Sequence, residues 1–258
     1  MEPTTDHSPA LRSDSEPEAL RDGRRFAAAI EAGEVRLRLT GGVAIALCSP
    51  SARHPALARD YSDVDLFGRG RETRAIGELV ESVGYEADRR FNALHGDQRL
   101  LFWEPVTRRQ VDVFLDVAQL CHRIDLRERL ESPGATLAPA DLLLMKLQVF
   151  ETNEKDLADM TALLADHPLT DGGEGIDAGY LEALVGDDWG LWRTTTEVAG
   201  RLDAYLRDLD GFEQAPLARQ RLDELRQRFE AAPKSRRWRL RAKVGERKRW
   251  YELPEEHH

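Results

Sequence analysis

Apolar residues recur at helical spacing through EALRDGRRFAAAIEAG, where Gly33 supplies a stop. VRLRL then alternates as a half-buried strand does, until Thr40-Gly41-Gly42 interrupts it. VAIALC reads as the start of a helix, and SPSARHPALARD, rich in proline, serine and arginine, as a loop. In SDVDLFG the period becomes two: Val64 and Leu66 point one way, Asp63 and Asp65 the other. A helix over RETRAIGELVESVG, ended by Gly84, leads to three strand candidates, YEA, QRLLFWE and RQVDVFLDV. From Pro139 onward the pattern is helical, in PADLLLMKLQVF, EKDLADMTALLADH, AGYLEALV, WGLWRTTTEVAGRLDAYLRDL and APLARQRLDELRQRFEAA, with TDGGEGID as a flexible connection.

Strands and helices in the first half, then helices alone, predict an α+β protein: a mixed β-sheet with flanking helices, followed by a helical C-terminal domain. The expected divisions are a disordered N-terminus over 1–14, a sheet domain over 15–132, a helical domain over 133–233 and a basic tail over 234–258. With 258 residues, 41% of them hydrophobic, the chain can bury a sizeable core. No apolar run approaches the roughly 20 residues of a membrane helix. The acidic start MEPTTDHSPALRSDSEPEAL lacks the basic and apolar regions of a secretory signal. Cys48 and Cys121, without CxxC spacing, argue against a disulfide framework and a zinc site. A cytoplasmic protein without membrane contact is expected. The formal charge of -10 conceals an asymmetry, because nine residues from Lys234 to Arg249 are Lys or Arg and Glu246 alone is acidic.

The chemistry concentrates in carboxylates. Asp63 and Asp65 share a strand face, about 7 Å apart at the Cα level, and Asp112, flanked by Val111 and Val113, presents a third. Such hard oxygen donors suit Mg²⁺, and two ions about 4 Å apart can neutralise a triphosphate, align an attacking oxygen and stabilise a leaving pyrophosphate. Asp116, four residues after Asp112, is the rival third carboxylate. Gly41-Gly42 lies between strand and helix, where glycine lets N–H groups approach phosphate oxygens, or simply makes a tight turn.

Taken together, LTGGVAIALCSPSARHPALARDYSDVDLFG and the later VDVFLD resemble the signature of nucleotidyltransferases of the DNA polymerase beta superfamily: a glycine turn, a spacer, Asp-h-Asp-h on a strand, and a further h-Asp-h. ADLLLMKLQVFETNEKDLADM is similar to the segment of abortive-infection type IV (AbiEii-like) toxin nucleotidyltransferases in which a Leu-rich helix bearing a Lys precedes a basic-Asp-x-x-Asp helix. The matches cover residues 36 to 165. The resemblance implies a nucleotidyltransferase-type sheet and a Mg²⁺-dependent enzyme moving a nucleoside monophosphate from an NTP to a hydroxyl of RNA, protein or a small molecule. It implies that Asp63, Asp65 and Asp112 ligate two metal ions, with Asp112 helping to accept the nucleophile's proton. Gly41, Gly42, Ser62 and Lys146 would then meet the nucleotide. A toxin role is open, and the alternative is a module that keeps the fold and binds nucleotide or RNA without turnover.

Lys146 falls on a helical wheel among Leu142, Val149 and Phe150, inside an apolar stripe, so its ammonium needs an anion. Candidates are nucleotide phosphates or the next helix's Asp156 and Asp159, of which Asp156 is the better placed. Trp189 and Trp192 are expected in the core. In KSRRWRLRAKVGERKRW the cations and interleaved Trp238 and Trp250 suit a nucleic-acid backbone with stacked bases, or a solvated segment whose tryptophans dock on the helical domain.

Overall fold

The computed structural model describes residues 16–253, so the N-terminal segment 1–14 and the terminal His257 and His258 lie outside the described residues. The sheet strands are β1 (Leu37–Thr40), β2 (Val64–Gly68), β3 (Glu86–Ala87), β4 (Arg99–Trp103) and β5 (Gln110–Leu115). They lie in the order β1-β2-β5-β4-β3, with β2 and β5 parallel and the other neighbours antiparallel.

The two faces of this sheet have different jobs because side chains alternate along every strand. Leu37, Leu39, Val64, Leu66, Val111 and Val113 are all fully buried and share one face. Burying each contributes roughly 2 kcal/mol. The helices α1 (Glu18–Ala32) and α3 (Thr73–Ser82) pack here: α1 meets β1 and β2, and the missing side chain of Gly68 lets Ile76 of α3 approach. The opposite face carries Thr40, Asp65, Asp112 and Arg99. The hydrophobic face therefore fixes the register that aligns the polar one.

Helix α2 (Gly41–Cys48) begins directly after β1 and is apolar through its middle, with Val43, Ala44, Ile45 and Ala46 all buried. A helix so apolar must be covered on several sides. It contacts α1, β1 and β2, and also α5 (Pro139–Leu147) and α6 (Glu154–Asp166) of the helical half. Just past its C-terminus, Ser51 donates from its backbone and hydroxyl to Asp166 (2.8 and 2.6 Å), and Ser49 meets His167 at 3.1 Å. Helix α6 in turn packs on α8 (Trp189–Asp208) and α9 (Ala215–Ala231), with α7 (Ala178–Asp187) against α8 and α9.

The α+β class and the order of elements agree with the sequence pattern, and the differences are local. A seven-residue helix, α4 (Arg89–His95), is capped by Asp88, whose carboxylate accepts from Phe91 N–H at 2.9 Å. After β5 comes a hairpin of β6 (Val117–Gln119) and β7 (Arg123–Asp125). Both are too short for periodicity to register. The TDGGEGID segment is not an open connection: Leu169–Thr170 (β8) and Ile176–Asp177 (β9) close a short parallel ladder. The basic segment forms α10 (Arg236–Val244), which lies against α7 and α8. Among the described residues, no helix is long and apolar enough to cross a membrane.

Candidate active site at the β1–α2 turn

Where β1 passes into α2, Gly41 adopts φ +67, and a Cβ placed there would lie 2.2 Å from Asp65 Oδ2. A Cβ on Gly42 would lie 1.5 Å from Arg59 Nη2. Gly41 is required by its left-handed backbone and by the carboxylate against it, whereas at Gly42 the neighbour is the movable end of the Arg59 side chain. Register supplies the rest, since Thr40 opposes Asp65 across β1–β2 and Asp65 opposes Asp112 across β2–β5. Thr40 is 3% exposed, and its hydroxyl oxygen has no hydrogen-bond partner among the described residues. Asp63 stands exposed just before β2 and accepts the Ser62 hydroxyl at 3.2 Å.

The half-buried Asp65 carboxyl is pushed up to about 7, by burial first and then by the charges of Asp63 and Asp112, against the opposing pull of Lys146 and Arg99. No hydrogen bond reaches it among the described residues. Asp112, 4% exposed, is also raised by burial, but Arg99 and Gln110 hold it. Arg99 donates through Nε (2.7 Å) and Nη2 (2.6 Å) to Oδ1, and Gln110 Nε2 to Oδ2 (2.6 Å). The Arg99 guanidinium lies between the Phe91 and Phe114 rings, 5.7 and 5.3 Å from their centroids. Among the described residues no three carboxylate, imidazole or thiol groups stand close enough to hold a metal ion as arranged. The expected rival Asp116 is elsewhere occupied: it follows the strand at φ 59, and its carboxylate accepts from Gly70 N–H at 3.1 Å.

Lys146 approaches the same place from α5. Its ammonium contacts Asp156 at 2.7 Å and Asp159 at 2.9 Å. Burial opposes its charge, yet the two carboxylates outweigh that and hold it above the ordinary lysine range. Both were expected as candidates, with Asp156 the better placed; Asp159, 2% exposed, is the deeper of the two and also takes a bidentate contact from Arg59, at 3.0 and 2.8 Å. Asp156 makes the shorter contact to Lys146 while also capping α6, accepting from Asn153 N–H as Asn153 caps in return. Helix α5 ends at Leu147, so Val149 and Phe150 are not on its stripe.

Asp63, Asp65, Asp112, Gly41, Gly42 and Lys146 therefore belong to one neighbourhood, with Ser62 at its exposed edge. Sequence reasoning gave no role to Thr40, Arg59, Arg99, Gln110 or the Arg59–Asp159 pair. For Arg99 the only available signal was strand alternation in QRLLFWE, which assigns a face but no partner.

No protein-family model and no curated protein sequence matches the chain. Among solved structures, the antibiotic-resistance factor ANT(2'')-Ia aligns over 83% of this chain and 94% of its own, with 14% identity and a TM-score of 0.34. An H. pylori protein described as a nucleotidyltransferase aligns over 83% of this chain and 96% of its own, with 14% identity and a TM-score of 0.36. Overlap this loose leaves family and activity to be judged from the site itself.

Proposed function

We propose that this chain transfers a nucleoside monophosphate from a nucleoside triphosphate to a hydroxyl acceptor, at the carboxylate face beside the Gly41–Gly42 turn. The observation that carries the proposal is the in-register placement of Asp65 and Asp112 on adjacent parallel strands, with the Asp65 carboxylate seated against Gly41. The donors are all hard oxygens, as Mg²⁺ requires. An Asp65 carboxyl raised to about 7, by burial first and then by the charges of Asp63 and Asp112, is one whose ionised form a divalent cation would favour. Asp63 and Asp65 would supply two of its carboxylate donors. Asp112 would complete the set by exchanging Arg99, which now neutralises it. When bound, Mg²⁺ would supply charge neutralisation for the triphosphate and the leaving pyrophosphate.

The chain's own residues would do the rest. Gly41 and Gly42 put side-chain-free backbone at the start of α2, beneath Asp65 and Arg59, where N–H groups and the helix dipole would favour phosphate oxygens once Arg59 moves aside. Arg59 and Lys146, held nearby by Asp159, provide cations for the same phosphates. Asp112, released from Arg99, would accept the proton of the attacking hydroxyl. The Arg99–Asp112 pair also supports a second reading, a nucleotide- or RNA-binding module without turnover, because it fills the third carboxylate. Incubation with each α-labelled NTP, Mg²⁺ and, separately, total RNA, lysate protein and small hydroxyl compounds decides between them. Transfer that disappears in Asp65→Asn supports catalysis; NTP binding with no transfer to any acceptor supports the second reading.

A further inference from the structure

Helix α10 divides its residues sharply between two faces. Trp238, Arg241, Ala242 and Gly245, at helical spacing, are half-buried, whereas Arg236, Arg237, Arg239, Leu240, Lys243 and Val244 are exposed. The inward face is anchored by aromatics: Trp238 meets Trp192 edge-on at 5.3 Å, and Arg241 lies 4.7 Å over Trp189. The strap that follows is anchored likewise, with Trp250 against Phe150 and Trp189 and its indole N–H donating to Thr194 at 3.2 Å. The tryptophans are thus committed to the fold, and the cations are left outside.

Those cations are poorly neutralised. The side-chain cations of Arg236, Lys243, Arg247 and Lys248 have no ion-pair or hydrogen-bond partner among the described residues, although the Lys248 carbonyl accepts from Arg241 at 2.8 Å. The segment's one acid, Glu246, is taken by Arg193 of α8 at 2.7 Å. On a chain of net charge -10, a compact surface of this kind presents a local positive field to a polyanion. The strap also leads somewhere. Glu252 N–H donates to Cys121 carbonyl at 3.0 Å, and Leu253 lines a cleft of about 890 Å³ whose wall includes Phe91, Phe114, Arg123 and the same Arg99 that holds Asp112. Arg249 and Leu253 are four residues apart, at most about 14 Å of chain.

We propose that the outer face of α10 and the strap through Arg249 bind a nucleic-acid backbone and deliver its end to the cleft beside Asp112. The second half of that statement rests on the nucleotidyl-transfer reading; the first does not. A membrane or protein partner fits less well, because among the described residues from Arg236 to Arg249 the exposed large apolar groups are Leu240 and Val244, and the tryptophans face inward. An extended run of cations with few apolar anchors is what a phosphate backbone matches.

The test measures binding without NTP and in EDTA, using a fluorescent single-stranded RNA of about 20 nucleotides, its duplex, and vesicles containing phosphatidylserine. The variant combines Arg236→Gln, Lys243→Gln, Arg247→Gln and Lys248→Gln, all at exposed positions. The full-length protein should bind RNA with a negative slope of log affinity on log salt. The variant should bind at least about tenfold more weakly, with a slope shallower by about 3, since each lost phosphate contact removes roughly 0.7. Arg21→Gln with Arg74→Gln, exposed on the sheet half, should leave the slope unchanged. An unchanged slope in the fourfold variant overturns the proposal, as does retention on vesicles without RNA binding. Salt-dependent RNA binding in a protein that transfers no nucleotide removes the transfer reading and leaves this surface standing.

Discussion

Replacing Asp65 by Asn removes one charge from the site at almost constant shape, and the sign of its effect follows from the carboxyl's environment. In the unfolded chain this group titrates near 3.8, and in the folded protein near about 7. Between those values the folded state holds a proton that the unfolded state has lost, so stability is full at low pH and declines as pH rises through about 7. At about 1.4 kcal/mol per pH unit, moving from 3.8 to about 7 corresponds to about 4 kcal/mol once ionised, which water at the half-buried group reduces to roughly 2–4. Asn has no such titration. Without divalent metal, the melting temperature of Asp65→Asn minus that of the native protein should therefore increase from about pH 5 to about pH 8.5, by about 4–10 °C at this chain length. Adding Mg²⁺ at the higher pH should raise the native protein toward the variant and move the variant less. Scanning calorimetry or fluorescence melting over that range is sufficient. A difference that stays flat or shrinks with pH would mean that Asp65 is not the proton-retaining member of the cluster, and the argument for a cation-seeking site would fail with it.

Three further outcomes follow from the same geometry. Lys146→Met should cost about 3 kcal/mol in urea denaturation, because it leaves Asp156 and part of Asp159 without a cation; adding Asp156→Asn should restore part of the loss, and a neutral single variant would contradict the pairing. Gly41→Ala places a methyl group 2.2 Å from Asp65 Oδ2 at φ +67, and should destabilise by about 1–3 kcal/mol while weakening NTP binding in equilibrium dialysis; native affinity would remove the turn from the nucleotide site. Arg99→Gln should free Asp112 and tighten Mn²⁺ binding, read by paramagnetic resonance; unchanged affinity would mean that Asp112 is structurally paired and not a metal ligand.

What the sequence disclosed about the site was what local periodicity can carry. The two-residue repeat in SDVDLFG put Asp63 and Asp65 together, and the strand ending at Thr40-Gly41-Gly42 located the turn that receives Asp65. The helical half was legible from its 3.6-residue spacing. Non-local facts were not. The Arg99–Asp112 pair depends on the register of β4 against β5, and the Arg59–Asp159 contact joins residues 100 apart through a loop with no repeat. Asp116 looked like a strand residue four beyond Asp112, but the left-handed backbone at that position turns its carboxylate to Gly70 N–H. In the basic segment, composition identified the cations, while only packing decided that Trp238 and Trp250 face inward.

Helix α2 limits how this protein can open. Its first residues border Asp65, and Ser49 and Ser51 just beyond its end are bonded to His167 and Asp166, so one eight-residue rod is built into both halves of the molecule. Rotating the halves apart would break the rod's contacts at one end or the other, which makes a jaw-like closure over substrate an expensive motion. Entry and exit must then depend on small gates: the Arg59 side chain lying over Gly42, and the Arg99 side chain lying over Asp112. Side-chain movements of this kind are local and are faster than a domain hinge. A slow step in turnover would accordingly have its origin in bond making or in acceptor release, with the scaffold itself standing still.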